Sequence, residues 1–461
     1  MTERALRVLQ VNLRDIQGGA AQVAWNLHRA YRGRGLDARM AVARKFSRDP
    51  FVYEIPQEQY KPVLTRGLLW MGRRLETLSA RTRGVGLGRL GGAFISLAEI
   101  PQRWAVYRGR EDFYAPATQH LLELVQGPQD ILHLHNLHKS WEDHRNYFDL
   151  RALPDLSRKV PVVMTLHDAW LLSGHCAHSM ACERWRSGCG RCPALDIYPA
   201  LRRDGTAYNW QRKRDIYRQS RLYVATPSHW LMEKVERSIL SVAMVSSQVI
   251  PNGVDLSVFH PGQEDRNALG LPLDAHVLLF TADGIRVNKM KDFQTLRHAI
   301  ELVAEHRSNV LFVALGEAGQ TEQVGHAQLR FVPYQNDPEL VARYYRSADV
   351  YIHASRADTF PNSVIEALAC GTPVVATRVG GIPEQIVEGE TGFLTPEGDS
   401  AAMAMRIEML LTDMDLKCRM GQASAEDASK RFDLNRQADG YLQWYKEIIS
   451  GYLPKFENRY C

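Results

Sequence analysis

The chain has 461 residues, of which 45% are hydrophobic and 24% charged, and this composition excludes collagen, coiled coils and disordered chains. With a net charge of only +5, its basic and acidic residues are too nearly balanced for an overall nucleic-acid-binding surface. Its length predicts two or three domains. Residues 1–11 lack a signal-peptide pattern, and no segment approaches the roughly 20 apolar residues of a membrane span. We therefore expect a cytoplasmic protein.

The first half of the chain predicts buried strands separated by helices and loops. An apolar run leads into a loop that ends at Gly18 and Gly19, and an amphipathic helix from Ala20 to Tyr31 follows. Short apolar strands that alternate with helices are typical of a parallel α/β sheet, so residues 1–245 are predicted to form one Rossmann-like unit. The predicted strands of this unit are 6–11, 131–134, 162–166 and 222–225.

The second half repeats this pattern after a turn-rich segment, Pro251-Asn252-Gly253. Residues 246–432 are predicted to form a second Rossmann-like unit, followed by a terminal helical segment over 433–461. The fold class is α/β, with two Rossmann-like domains whose parallel sheets face each other across a cleft. Open sheets of this kind bind ligands at the carboxyl ends of their strands. The predicted strands of the second unit are 277–280, 310–315, 328–331, 350–352 and 374–376.

Residues 61–110 form a basic insertion, with ten Lys or Arg against Glu76 and Glu99. An apolar stripe at helical spacing runs through it, and such a stripe most often packs against its own sheet. One alternative is a peripheral contact with the inner face of the cell membrane, and another is attraction of an anionic acceptor. The stripe consists of Leu64, Leu68, Met71, Leu75 and Leu78.

The most informative segment, 357–377, places two carboxylates around the start of a helix. Asp358 precedes the predicted helix, which starts near Pro361 to Ser363, and Glu366 lies one turn inside it. A helix amino terminus suits a diphosphate because it offers free N–H groups, while carboxylates accept hydrogen bonds from sugar hydroxyls. The simpler alternatives are a capping box made by Ser363 and Glu366 and a turn fixed by Asp358.

A cationic cluster, 284–291, follows the first strand of the second unit. Its position predicts that it lies at the same sheet edge as the acid pair, where the phosphates of a ligand would bind. Arg286 and Lys291 can offset the charge of a departing diphosphate. The two clusters together favour a donor site over a simple helix cap.

The chain resembles, over nearly its whole length, a family-4 retaining glycosyltransferase of the two-Rossmann GT-B architecture. The family carries two glutamates separated by seven residues; here the first acid is Asp358 and the second is Glu366. The resemblance implies that a hexose moves from a nucleotide diphosphate sugar to a glycan or lipid-linked acceptor, with retention and without a catalytic metal. It also implies a terminal helix that crosses back to the first domain. The other segments that carry the similarity are Gly18-Gly19, Ile250 to Asp255, Phe259 and Gly392 to Leu394.

The resemblance implies particular contacts to the donor. Asp358 is expected to reach hydroxyls of the donor hexose, and Glu366 is expected to bind the nucleotide ribose. The backbone N–H groups of Asn362 and Ser363 are expected near the diphosphate. The glycines expected at the donor are Gly18, Gly19 and Gly284.

Three catalytic groups besides Asp358 are also implied by the resemblance. Arg286 and Lys291 match the family's cationic pair, with Lys289 as a rival for the second position. His167 follows the strand 162–166 and faces the predicted cleft. A lone histidine is more often structural, but the family carries a functional histidine here that contacts the donor sugar or its phosphate.

The acceptor wall is predicted on the first domain. His135 and Asn136 follow the strand 131–134, and Asp168 and Trp170 follow His167. Strand alternation explains the spacing of the histidines near 135 better than metal binding does. The segment after 222–225 resembles another family segment that lines the cleft, although Ser228 also has the position of an ordinary helix cap.

Four cysteines between 175 and 193 offer the ligands of a structural zinc ion, with buried thiols or a redox-labile pair as the alternatives. The segment resembles a subgroup of capsule- and exopolysaccharide-type glycosyltransferases, which implies a structural module over the acceptor site. The candidate zinc ligands are Cys176, Cys182, Cys189 and Cys192.

A second metal candidate is the pair Asp413 and Asp415, for which helix capping is the better account. Two rival functions stay open. An epimerase of the same architecture would convert its donor without an acceptor, and a non-catalytic scaffold would bind nucleotide or glycan without turnover.

Overall fold

The computed structural model describes residues 4–82, 85–138, 146–282 and 284–451. The strands are β1 Arg7–Arg14, β2 Asp37–Arg44, β3 Val52–Glu54, β4 Ile131–Leu134, β5 Val162–Thr165, β6 Leu222–Thr226, β7 Met244–Val249, β8 His276–Thr281, β9 Val310–Leu315, β10 Glu322–Val324, β11 Ala327–Val332, β12 Val350–His353, β13 Val374–Thr377 and β14 Gly392–Thr395. The helices are α1 Gly19–Gly33, α2 Val63–Thr82, α3 Val85–Ala98, α4 Ile100–Tyr107, α5 Leu153–Lys159, α6 Thr206–Tyr217, α7 His229–Glu236, α8 Phe293–His306, α9 Pro338–Ser347, α10 Asn362–Ala369, α11 Ser400–Thr412, α12 Met414–Arg431 and α13 Leu434–Gly451.

The strands form two seven-stranded sheets, in the orders β3-β2-β1-β4-β5-β6-β7 and β10-β11-β9-β8-β12-β13-β14. Every pair is parallel except β10 with β11. The predicted α/β class with two Rossmann-like units is confirmed. The strand order reverses beside β1 and β4 in the first sheet and beside β8 and β12 in the second, and such points form ligand crevices.

The change from one sheet to the other comes later than the sequence indicates. The predicted boundary at 245/246 falls inside β7, whose residues pair with β6 through Thr226 and Val249. The boundary is wrong because β7 is an edge strand with a polar centre, Ser246 and Ser247, and lacks the apolar run of a buried strand.

The terminal helix α13 packs on the first sheet. Tyr441, Trp444 and Tyr445 are fully buried in one cluster with Val8 of β1 and Leu27 of α1. The hydroxyl of Tyr445 lies 2.6 Å from His133 Nδ1, and that of Tyr441 lies 2.8 Å from Thr165 Oγ1. The chain therefore crosses between the domains twice.

The basic insertion folds as helices α2 to α4. Helix α2 packs chiefly on α3, and they approach closely where Gly72 faces Gly91, since a Cβ on Gly72 would lie 2.9 Å from the carbonyl oxygen of Gly91. The expectation that the apolar stripe packs on its own sheet is wrong for Leu64, which is 76% exposed. Among the described residues, every helix is too short or too polar to span a bilayer.

Candidate active site

Helix α10 begins at the carboxyl edge of the second sheet, after the loop that follows β12. Pro361 occupies the cap position and has no side-chain hydrogen bond to the helix. The capping-box interpretation of Ser363 and Glu366 is therefore wrong, because Ser363 lies inside the first turn and Glu366 bonds elsewhere. The amino end of α10 remains available to an anion.

Glu366 accepts a hydrogen bond from the hydroxyl of Tyr345, in α9, at 3.0 Å. Burial raises the pKa of Glu366 to about 7, although the Tyr345 hydroxyl opposes this shift. Tyr345 also lies 3.1 Å from Thr281 Oγ1 at the end of β8. The sequence pattern holds no sign of Tyr345, because only the packing of α9 brings it to the site.

Asp358 and Lys291 form an ion pair at the edge where β8 and β12 end. Lys291 Nζ donates to Asp358 Oδ2 at 2.6 Å, and the two side chains are only 15% and 20% exposed. Nζ also lies 3.4 Å from both His353 Nε2 and Ser355 Oγ. Burial opposes ionisation of Asp358, but the Lys291 ammonium and His353 hold its pKa well below the usual range. Asp358 is therefore ionised at neutral pH.

The other two cations of the cluster point elsewhere. Arg286 binds Glu317 at 2.6 Å and lies over the ring of Phe331, 4.5 Å from its centroid. Lys289 pairs at 2.6 Å with Asp196 of the first domain. Lys291 is thus the cation beside Asp358. Gly284, with φ of +62°, starts the turn that carries the cluster, since its carbonyl accepts from the N–H of Asn288 at 2.9 Å.

The predicted glycine loop lies opposite α10. Gly18 has φ of +100° and caps α1, and the carbonyl of Gly19 lies 3.5 Å from Asn362 Nδ2. Asn252 anchors the same side chain, because its Nδ2 donates to Asn362 Oδ1 at 3.0 Å. The structure therefore brings Gly18 and Gly19 to the amino end of α10.

His167 belongs to a buried chain of hydrogen bonds. Gln10 Nε2 lies 3.2 Å from both the carbonyl oxygen of Ala24 and His135 Nε2. Because a carbonyl only accepts, the amide nitrogen belongs at this position and donates to His135 Nε2. His135 then carries its proton on Nδ1, 3.2 Å from His167 Nε2. The network assigns the His167 proton to Nδ1.

Both histidines are neutral at physiological pH. Burial lowers the pKa of His167 to about 4 and that of His135 well below its ordinary value. The pKa of His133, behind them, falls to about 3 for the same reason. His167 therefore offers a neutral N–H donor and no positive charge.

The predicted acceptor residues occupy different environments. Trp170 is fully buried, donates to Glu111 at 2.9 Å and stacks on Phe113, so it lies in the core of the first domain rather than on an open wall. Asp168 accepts from His138 Nε2 and from the Trp170 N–H, both at 2.8 Å. Burial opposes its ionisation, but His138 keeps its pKa below the usual value.

Asn136 is part-buried, and its Oδ1 has no hydrogen-bond partner within the described ranges of the chain. Its backbone carbonyl accepts from the hydroxyl of Tyr147. Among the four predicted acceptor residues, Asn136 is thus the one whose buried side-chain oxygen lacks a hydrogen-bond partner in the described structure.

His178 is a site residue that sequence analysis missed. It interacts electrostatically with Asp168 of the first domain and with Asp358 and Lys291 of the second, and burial lowers its pKa. Its Nδ1 is buried without a hydrogen-bond partner in the part of the chain that the structure describes. In the sequence, the cysteines near His178 indicate a metal site, and no local pattern indicates that His178 lies between the domains.

The four cysteines of 175–193 are free and part-exposed. Cys192 Sγ lies 3.3 Å from His175 Nε2, and burial raises the pKa of Cys189 to about 11. Over the described ranges, no three His, Cys, Asp or Glu side chains are grouped to hold one metal ion. The zinc site therefore stays a prediction, which metal analysis of the purified protein would decide.

Two capping predictions are confirmed. Asp413 accepts from the N–H of Leu416 at 2.8 Å and caps α12, and Ser228 caps α7. An acid from the other domain also reaches the amino end of α7: Glu384 accepts from the N–H groups of His229 and Trp230, both at 2.7 Å. This contact ties the domains together beside the cleft.

Residues 275–413 match the family described as "Glycosyl transferases group 1". The chain is 34% identical over 224 residues to the D-inositol 3-phosphate glycosyltransferase of Arthrobacter sp. (strain FB24), aligning 44% of this chain with 51% of that protein. It is 35% identical over 220 residues to D-inositol 3-phosphate glycosyltransferase 1 of Catenulispora acidiphila, aligning 43% with 51%. The alignments span about half the length of these curated relatives.

Two solved structures share the fold. Sucrose-phosphate synthase from Thermosynechococcus elongatus has a TM-score of 0.62 at 18% identity, covering 97% of this chain and 100% of that one. Anabaena HepE in complex with UDP-glucose has a TM-score of 0.59 at 17% identity, covering 96% and 99%. The curated relatives are named for inositol phosphate rather than for capsule or exopolysaccharide. Residues 275–413 thus carry the sequence pattern of glycosyl transferases group 1, and the chain as a whole has the two-domain GT-B fold.

Proposed function

We propose that the protein is a glycosyltransferase that moves a hexose from a nucleotide diphosphate sugar to a hydroxyl group of its acceptor. The observation that carries this proposal is the Lys291–Asp358 ion pair beside the free amino end of α10. The group 1 match over 275–413 supports it. Because HepE is described with UDP and UDP-glucose, a uridine nucleotide is the first donor to test.

Four groups have distinct roles in the proposed donor site. The N–H groups at the amino end of α10 bind the diphosphate, and the Lys291 ammonium stabilises its charge as it departs. Asp358 accepts from hydroxyls of the hexose. Glu366 accepts from the ribose, for which its ionised form is the better partner.

The proposed reaction retains the anomeric configuration. The bond between C1 of the hexose and the diphosphate oxygen breaks, and the acceptor oxygen bonds to C1 on the same face. The acceptor proton passes to the departing phosphate oxygen, so no covalent protein nucleophile takes part. His167 supplies a neutral N–H to the sugar or phosphate, and closure of the two domains excludes water. We propose that no catalytic metal is needed, because Lys291 and α10 supply the positive charge.

The acceptor has two candidate classes. The resemblance of the cysteine segment favours a glycan or lipid-linked acceptor of polysaccharide or glycoconjugate biosynthesis. The names of the curated relatives add D-inositol 3-phosphate. The buried Oδ1 of Asn136 and Nδ1 of His178 can bind an acceptor of either class.

The first experiment is a thermal-shift panel of UDP, GDP, ADP and their hexose conjugates, with and without EDTA. The variants are Lys291→Ala and Glu366→Ala, with Lys289→Ala as a matched lysine control whose partner is Asp196. We expect one nucleotide series to stabilise wild type and the control, to lose its effect with Lys291→Ala, and to be indifferent to EDTA.

Release of nucleotide diphosphate in the presence of each acceptor class then measures transfer. Loss of turnover in Lys291→Ala and Glu366→Ala, with folding intact, supports the site. Conversion of the donor sugar without any acceptor would show an epimerase. Nucleotide binding with no turnover of any acceptor would favour a scaffold, and normal transfer by both variants would overturn the site assignment.

A further inference from the structure

Helices α2 to α4 expose large apolar side chains to solvent. On α2, Val63, Leu64, Trp70 and Met71 are all exposed, Leu64 by 76% and Trp70 by 64%. At 100° per residue these four positions fall within about 120° of arc, and Gly72, which contacts α3, lies on the opposite side. The apolar face of α2 is thus turned away from its packing partner.

Helix α4 carries a second apolar surface. Ile100, Trp104 and Tyr107 are spaced at i, i+4 and i+7 and are all exposed, Trp104 by 56%. Arg108 lies over the Trp104 ring, 5.4 Å from its centroid, as Arg74 does over Trp70 at 5.9 Å. Tryptophan and tyrosine beside basic side chains are typical of the interface between lipid headgroups and acyl chains.

The positive charge of the protein is concentrated on this insertion. Residues 61–110 hold ten basic and two acidic side chains, while the rest of the chain holds 47 basic and 50 acidic ones. Arg74 and Arg81 lie on the apolar face of α2, at helical spacing from Trp70. Of the acids near this face, Glu58 and Glu99 are paired with Arg73 and Arg103.

We propose that α2 to α4 form a docking surface for an anionic phospholipid bilayer, on which the helices lie in the headgroup region without crossing it. Apolar contact and a cluster of basic charges are the two signals that stable peripheral binding requires. A second copy of the chain fits this surface poorly, because it would bring the same strongly positive insertion against its equal. The inference does not depend on the proposed transferase activity.

The test is sedimentation of the full chain with vesicles of phosphatidylglycerol and phosphatidylcholine, compared with vesicles of phosphatidylcholine alone. We expect binding to the anionic vesicles only, weakened by salt. The double variants Leu64→Ser/Trp70→Ser and Arg74→Glu/Arg81→Glu should each weaken binding by at least about tenfold. The matched control, Leu273→Ser/Met414→Ser, removes side chains that are 68% and 60% exposed on the second domain, and should bind as wild type does.

The two variants test the apolar and the charged components separately, and unchanged thermal midpoints would show that both fold. Equal vesicle binding by wild type and both variants would overturn the proposal, as would failure of wild type to bind anionic vesicles. Reversible self-association without lipid, abolished by Leu64→Ser/Trp70→Ser, would assign the face to a second copy instead. Nucleotide binding is measured in the same preparations, so that a failure of the membrane proposal can be distinguished from a failure of the proposed donor site.

Discussion

The carboxyl group of Glu366 is part-buried and accepts a hydrogen bond from the hydroxyl of Tyr345. This environment makes the stability of the protein depend on pH. Its pKa rises from an ordinary value of 4.5 to about 7, so the folded chain holds this proton more tightly than the unfolded chain does. The stabilisation is complete below pH 4.5 and is lost as the pH rises through about 7. Glu366→Gln keeps a neutral group at every pH. Its advantage over wild type should therefore grow with pH, up to about 3 kcal/mol.

Denaturant unfolding from about pH 5 to about pH 8 measures this difference. Glu397→Gln, an exposed acid of the same domain, is the control and should show no such trend. A gap between Glu366→Gln and wild type that stays constant across the range would show that the Glu366 pKa is not raised.

Gln10 sets the tautomer of His167 through His135, although it lies two side chains away. Gln10→Met removes the amide N–H that donates a hydrogen bond to His135 Nε2, and it nearly keeps the volume of the side chain. If the proposed activity holds, transfer should fall roughly ten- to hundredfold with nucleotide affinity unchanged. Nitrogen NMR of the histidines provides the specific readout, since Nδ1 and Nε2 of His167 should lose their distinct donor and acceptor shifts. Unchanged shifts would contradict the assignment.

At this scale the sequence predicts residues that share a local pattern and misses those that only packing brings in. Asp358 and Glu366 are predictable because their spacing follows a helix start, and Lys291 because parallel strands end at one edge. Tyr345 and His178 come from α9 and from the cysteine segment, so no local pattern connects them to the site. Trp170 follows His167 closely in the chain, yet its large apolar ring turns into the core.

The loop that holds Asp358 depends on close contact with the segment after β13. A Cβ on Gly380 would lie 1.8 Å from the carbonyl oxygen of Asp358, and a backbone atom cannot give way as a flexible side chain can. Gly380→Ala should therefore displace Asp358 and destabilise the fold by about 1–3 kcal/mol beyond the conformational strain. If the proposed activity holds, it should also cut transfer sharply.

Gly389→Ala separates these two effects. Gly389 also has positive φ, +79° against +57° for Gly380, but a Cβ on Gly389 would meet nothing within 4 Å. Gly389→Ala should show only the backbone strain of an alanine at positive φ and should keep the proposed transfer activity. Equal loss in both variants, by thermal unfolding and nucleotide release, would place the effect in backbone conformation rather than in the Asp358 contact.

Among the elements, buried strands and amphipathic helices are predicted well because burial on two faces leaves unbroken apolar runs. The expectation for α2 fails for a physical reason: periodicity shows that Leu64 and Met71 share a face, but not what covers that face. The end of the first sheet is misplaced because β7 is an edge strand, where exposure permits Ser246 and Ser247.

Across the whole molecule, Glu384 joins the second domain to the amino end of α7. Glu384→Ala removes a carboxylate that accepts from His229 and Trp230, and should weaken the closed arrangement by about 1–3 kcal/mol. We expect a larger radius of gyration by X-ray scattering and, if the proposed donor site holds, a smaller stabilisation by nucleotide. Glu397→Ala, an acid outside this contact, is the control. Scattering identical to wild type would show that other contacts hold the domains.

The position of α13 bears on how the chain is completed during synthesis. A ribosome makes β1 to β7 long before α13, yet Tyr441, Trp444 and Tyr445 fill the core face against Val8 and Leu27. Until α13 emerges, that face of the first sheet stays uncovered. The second domain, whose strands and helices lie between β7 and α13, has all of its residues available earlier. The domain that is made first is therefore the one that finishes folding last.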